Sequence, residues 1–157
     1  MKSKAKPKKD PLSLLPLIDD FLLSLQSNNY SSETVYNYQR DLATFALFLA
    51  EEVKIPFKSL QKRTIEQYKA YLTSQDRKTA KNNPNQKKLS SGSINRNLSS
   101  LRRYLKFLID MDYPTPIVPD NVKLIRSEKK LPKVPDFATL IKIIESPTLL
   151  EKNPKLK

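Results

Sequence analysis

The chain has 157 residues, enough for one domain with a real core plus a tail, and carries 29 Lys+Arg against 16 Asp+Glu, a formal net charge of +13. It has no cysteine and no histidine, which excludes disulfides and thiolate metal sites and removes the commonest general base. No apolar run approaches the roughly 18 residues that span a bilayer, while the charge excess predicts attraction to a polyanion.

Residues 1–11 hold five lysines and two prolines and read as a disordered basic arm. The "LSLLPLIDDFLLSL" that follows is broken by Pro16, Asp19 and Asp20, so the two together do not make a secretory signal. A first helix is expected from about Pro11, with Leu14, Ile18, Phe21, Leu22 and Leu25 at helical spacing. "SNNYSS" ends it. Ser32 is expected to cap a second helix, with Glu33 in its first turn and Val35, Tyr38, Leu42, Phe45 and Leu49 as its apolar stripe. Pro56 makes "VKIPFKSL" a turn. A third helix is predicted over 64–73, with Ile65, Tyr68 and Leu72 inward.

Residues 75–89 have no periodicity and read as a loop. A fourth helix starts near Ser91 or Ser93, its core face formed by Ile94, Leu98, Leu101, Leu105 and Leu108. Pro114, Pro116, Pro119, Pro132 and Pro135 then predict an extended linker. Asp136 is expected to cap a short helix with Leu140, Ile141 and Ile144 on its apolar side. The expected class is all-α: a four-helix bundle over 12–112, a basic arm over 1–11, a basic Pro-rich linker over 113–135, and a short extra helix within 136–157.

Charge is unevenly spread. From Arg77 to Arg103 there are eight basic residues and no acidic one. A solvated helix face usually mixes signs, because opposite charges at i,i+4 support a helix and like charges do not. The run therefore favours a polyanion partner over plain solvation. Ser91, Ser93, Asn95, Asn97, Ser99 and Ser100 are interleaved with it, short side chains that allow close approach to a phosphate backbone or base edges. Ser90, Ser91 and Gly92 at the helix start would offer backbone N–H groups to a phosphate. Arg96 and Arg103, seven residues apart, share one side of the helix. Replacing both is expected to weaken polyanion binding with little change in stability. A membrane-surface helix fits less well, because the apolar stripe matches those of three other helices and implies a shared core.

Catalytic arrangements are lacking. Asp19–Asp20 and Glu51–Glu52 are adjacent pairs that cannot face each other across a substrate, and a single glycine cannot build a phosphate loop. Tyr38, Tyr68 and Tyr104 lie on apolar stripes and read as core or core-edge residues with a solvated hydroxyl, rather than as nucleophiles. No metal or cofactor site is expected.

Two segments carry a family resemblance. "SSETVYNYQRDLATFALFL" and "LSSGSINRNLSSLRRYLKFL" resemble the N-terminal core-binding domain of tyrosine recombinases, the Xer and phage-integrase group. The second-helix pattern S-x-x-T-x-x-x-Y-x-x-D-L-x-x-F-x-x-F is filled by Ser31 or Ser32, Thr34, Tyr38, Asp41, Leu42, Phe45 and Phe48 or Leu49. The fourth-helix pattern S-x-x-R-x-L-S-x-L-R-x-x-x-x-F-L is filled by Ser93, Arg96, Leu98, Ser99, Leu101, Arg102, Phe107 and Leu108. "KKLPKVPDFATLIKIIESP" resembles the family's junction to the catalytic domain, with Pro135, Phe137 and Ala138 departing from it.

The resemblance implies an orthogonal, SAM-like four-helix bundle that clamps duplex DNA opposite a catalytic domain. It implies a cytoplasmic protein, self-association into a tetramer on DNA through the first helix, and no cofactor. Strand cleavage in the family uses a tyrosine, two arginines, a lysine and histidines of the second domain. This chain, without histidine and ending at Lys157, is expected to bind DNA without cutting it. The implied DNA-binding residues are Thr34, Asn37, Tyr38 and Arg40 from the second helix. Lys87, Lys88, Ser91, Ser93, Asn95, Arg96, Ser99, Arg102 and Arg103 come from the loop and fourth helix. Arg126, Lys129, Lys130 and Lys133 come from the linker. The competing reading is a helical module that binds RNA or an acidic protein.

Overall fold

The computed structural model describes residues 10–74, 88–127, 136, 137, 139–142 and 144. Its helices are α1 (Ile18–Ser27), α2 (Ser32–Leu47), α3 (Lys62–Thr73) and α4 (Ser91–Asp110). No strand occurs among the described residues. The chain divides into two units, residues 1–127 and 128–157.

The first unit opens with a 3-10 turn, Pro11–Leu14, rather than with one continuous helix. Pro16 supplies the reason. It lacks an N–H and disfavours helical backbone at the residue before it. Leu15 is accordingly extended, and Leu17 takes a left-handed conformation (φ 51°) before α1 begins. The break changes which leucines face inward. Leu12 and Leu15 are buried and Leu14 is exposed.

Helix α2 is capped by Ser31 rather than Ser32, its Oγ accepting from the Thr34 amide at 3.3 Å. A π-helical turn, Phe48–Val53, extends it and ends at Lys54 in the left-handed region. Phe57 and Leu60 of the following turn are buried. At the start of α3 the Gln61 amide donates to the Thr64 hydroxyl at 3.3 Å. Helix α4 is capped by Ser90, whose Oγ accepts from the Ser93 amide at 3.2 Å.

The expected stripes of α2, α3 and α4 meet in one core. Two aromatic clusters fill it. Phe21 packs edge-on to Tyr38 and Tyr104, with centroids 5.7 and 5.4 Å away, and Phe45 and Phe48 pack on Tyr68 at 4.9 and 5.1 Å. Such pairings add about 0.5–1.5 kcal/mol each beyond area burial. The hydroxyls of Tyr68 and Tyr104 are not solvated, contrary to expectation. Tyr104 donates to the Pro16 carbonyl, and the buried Tyr68 hydroxyl has no hydrogen-bond partner among the described residues.

The segment expected to be an extended linker packs against the bundle in its first half. Ile117 and Val122 are buried against the bundle. The side chain of Asn95 holds Ile125 at two points, donating to its carbonyl at 3.0 Å and accepting from its amide at 2.9 Å. The chain thus runs back along α4 from its C-terminal end towards its first turns.

In the second unit, residues 137, 139–142 and 144 are helical. The Asp136 carboxylate accepts from the Thr139 hydroxyl, and its carbonyl accepts from the Leu140 amide at 3.0 Å. Phe137, Leu140, Ile141 and Ile144 are exposed.

Candidate nucleic-acid interface

The periodicity of α4 assigns its faces. Ile94, Leu98, Leu101, Tyr104, Leu105 and Leu108 are buried, while Gly92, Arg96, Ser99, Arg103 and Lys106 form an exposed ridge on the opposite side. No carboxylate occurs from Lys88 to Ile109. Lys106, which the helical spacing already places on the face of Arg96 and Arg103, extends the ridge by one turn beyond the expected contact residues. Its spacing from Arg103 and Ser99 was the available signal.

On one flank of the ridge lies α2. Arg96 Nη2 donates to Asp41 Oδ1 at 2.8 Å, and Ser100 donates to Asp41 Oδ2 at 2.9 Å. The Asp41 side chain is 2% exposed and that of Arg96 44%. Burial raises the Asp41 carboxyl above the ordinary aspartate range, opposed by the Ser100 hydrogen bond and by Arg96 and Arg40. Arg96 Nη1 also reaches Asn37 Oδ1 at 3.4 Å, and Arg40 Nη2 donates to the same oxygen at 2.9 Å. The Arg40 guanidinium sits 5.8 Å over the Tyr36 ring. Arg103 is near enough to Tyr38 to favour its ionised form, although burial dominates and raises that hydroxyl.

Of the expected contact residues, Asn37, Arg40 and Arg96 are therefore hydrogen-bonded together. Tyr38 and Arg103 adjoin them, and Ser99 lies on the same ridge. Thr34 is half-buried, with its hydroxyl 2.8 Å from Ser31 Oγ. Arg96 does more than the sequence implied, because it compensates a buried carboxylate.

The other flank is covered by residues 113–127. Asn95 spends its amide on Ile125. Arg102 lies 3.4 Å from Asp120 in an exposed pair, of the kind worth about 0–1 kcal/mol. These two side chains turn away from the ridge. Ser93 is engaged with Ser90, at 3.1 Å between hydroxyls, and its carbonyl accepts from Asn97. Ser91 is half-buried, and Lys88 and Arg126 are exposed. Lys87, Lys129, Lys130 and Lys133 lie outside the described residues, as do residues 1–9 of the expected arm and most of the loop before α4, whereas Asp10 and Pro11 of that arm begin the 3-10 turn.

Burial raises the Tyr68 and Tyr104 hydroxyls well above their ordinary value, which disfavours the ionised, nucleophilic form. Among the described residues no group of three or more His, Cys, Asp or Glu converges as a metal site, and no helix is long and apolar enough to cross a membrane.

The sequence matches the phage integrase N-terminal SAM-like domain over residues 18–111, more than half of its length. The chain belongs to this family. It is 25% identical to the tyrosine recombinase XerD of Staphylococcus haemolyticus over 138 residues, which is 87% of this chain and 43% of that protein. It is 28% identical to XerD of Rickettsia conorii over 117 residues, 73% of this chain and 33% of that protein. It therefore spans less than half the length of these curated relatives. The fold is similar to the N-terminal domain of a phage integrase/site-specific recombinase from Haloarcula marismortui, with a TM-score of 0.56 at 16% identity, covering 76% of this chain and all of that one. Within the SAM-like domain, the aspartate and arginine of the two quoted motifs prove to be partners: Asp41 and Arg96 join α2 to α4.

Proposed function

We propose that this SAM-like domain binds duplex DNA through the seam between α2 and α4, as the core-binding part of a tyrosine-type recombinase or integrase. The single observation that carries the reading is the exposed α4 ridge of Arg96, Ser99, Arg103 and Lys106, without a carboxylate from Lys88 to Ile109, flanked by Asn37 and Arg40. Membership of the family supports it, and so does the net charge of +13. A helix with a polar, cationic ridge and a fully packed opposite face can enter a major groove without exposing apolar surface. Lys87, Lys88, Arg126, Lys129, Lys130 and Lys133 would add phosphate contacts. Self-association into a tetramer on DNA belongs to the same proposal, as does a division of labour in which this domain binds and strand cleavage uses groups it does not supply.

The test is binding of a fluorescent mixed-sequence duplex across a salt series, with competition by structured RNA. Log K should fall linearly with log[salt], by about 0.9 for each phosphate neutralised. Duplex DNA should compete better than RNA. Affinity indifferent to salt, or stronger competition by RNA, overturns the reading in favour of a different polyanion-binding module.

A further inference from the structure

The cations of the α2/α4 seam are not equivalent. Arg96 is matched by a buried carboxylate 2.8 Å away, and that carboxylate is pinned from its other oxygen by Ser100. The Arg96 charge is therefore largely compensated and its guanidinium orientation is set from below. Asn37 Oδ1 then accepts from both Arg96 and Arg40, at 3.4 and 2.9 Å. Arg103 and Lys106 stand on the same ridge, and no carboxylate pairs with them among the described residues.

Counterion release depends on net charge delivered to phosphates, whereas base readout depends on fixed donor geometry. A guanidinium already neutralised by a buried partner adds little to the first and is well suited to the second. We propose that the Asn37–Arg96 pair, held by Asp41, is the specificity-determining part of the interface, reading hydrogen-bond edges in the groove, while Arg103 and Lys106 supply sequence-independent phosphate neutralisation. Asp41 is then a positioning residue that acts through Arg96. This division rests on the DNA-binding reading above.

The experiment uses the whole 157-residue chain. Salt slopes on a mixed-sequence duplex and enrichment from a randomised duplex pool are measured for the parent, Asn37→Ala, Arg96→Lys and Arg103→Ala. Arg96→Lys keeps a cation near Asp41 while removing the fork, and circular dichroism on the same samples establishes that the variant is folded. Asn37→Ala changes no charge. The expected result is a slope shallower by about 0.9 for Arg103→Ala with its enriched sequences unchanged. Arg96→Lys and Asn37→Ala should leave the slope within error of the parent and cut enrichment of the preferred sequences by about tenfold. The division is overturned if Arg96→Lys or Asn37→Ala lowers the slope as Arg103→Ala does, or if neither alters the enriched set. A parent that binds duplex with a steep salt slope but enriches no sequence also overturns it, leaving the DNA-binding reading intact. A parent with no salt-dependent duplex binding overturns both.

Discussion

Asn95 and Ile125, thirty residues apart, are joined by a pair of hydrogen bonds that copies a strand-to-strand contact with a side-chain amide. The carboxamide offers one donor and one acceptor in a plane, matching the N–H and C=O of a single residue. Asn95→Ala leaves both backbone groups of a half-buried residue without their partner. The expected loss is about 1–3 kcal/mol, with faster amide exchange confined to residues 113–127. Asn95→Asp should also lose stability, since a carboxylate accepts from the Ile125 amide but repels its carbonyl. An exchange pattern identical to the parent would refute the clasp.

How much of this was legible from sequence differs by element. The stripes of α2, α3 and α4 were, because helices buried on one side write their period into the chain. The packed half of the linker was not. Prolines at 114, 116 and 119 signal extended backbone, and extended backbone can pack as well as drift. Only the apolar Ile117 and Val122 hinted at burial. Asn95 and Arg96 were picked out for polarity on a helix face, but polarity does not say whether the partner lies outside the molecule or inside it. The ion pair of Arg96 with Asp41 depends on α2 and α4 meeting in a particular register, which spacing within one helix cannot show.

That ion pair revises the expectation that Arg96 is dispensable for folding. Arg96→Ala strands a buried carboxylate with only Ser100 as donor. Removing one partner of a buried pair costs about 3–5 kcal/mol, and the half-exposed arginine lowers this to about 1–3. Asp41 has its folded-state proton affinity raised by burial. Its contribution to stability is thus complete below the ordinary aspartate range and declines as pH rises through its raised value. Without Arg96 the decline should be larger. The stability gap between parent and variant is therefore expected to be widest at neutral pH and to narrow on acidification. Asp41→Asn in the Arg96→Ala background should close most of it. Chemical denaturation at several pH values checks this, and a gap that stays constant with pH would sink it.

Tyr68 and Tyr104 are both fully buried but differ in one bond. Tyr104 donates to the Pro16 carbonyl and so ties α4 to the strained entry of α1, where Leu17 is left-handed. Tyr104→Phe should cost about 1–3 kcal/mol by orphaning that carbonyl. The Tyr68 hydroxyl has no partner among the described residues, and burying an unbonded hydroxyl costs about 1–3 kcal/mol. Tyr68→Phe should accordingly leave thermal stability unchanged or raise it. Equal losses from both substitutions would show that the Tyr68 hydroxyl is satisfied after all.

The two sides of α4 should separate stability from binding. Leu101 is fully buried, and Leu101→Ala should destabilise the bundle by about 2–5 kcal/mol through the cavity it leaves. Arg103 is exposed on the ridge, and Arg103→Ala should leave the melting temperature near that of the parent while weakening duplex binding by about 1–3 kcal/mol. Circular dichroism and anisotropy on the same samples decide this. Duplex affinity within error of the parent, in a folded Arg103→Ala protein, would count against docking through the ridge.

Gly92 offers the finest probe of how close that docking is. It is the chain's only glycine, yet its backbone does not need glycine: positive φ occurs at Leu17, Asn29, Lys54 and Asp112 instead. A Cβ at Gly92 would meet only Ser90 Oγ at 3.9 Å, an ordinary contact. In the first turn of α4, Gly92→Ala should therefore stabilise the fold by about 0.5–1 kcal/mol, since alanine loses less backbone freedom on folding. The same position begins the exposed ridge, four residues before Arg96. If the helix start approaches the DNA backbone closely, the added methyl should weaken duplex binding while stability rises, opposite signs that general damage to the fold cannot produce. Stability and affinity that both rise, or affinity that stays fixed, would place the contact further along α4, around Ser99 and Arg103.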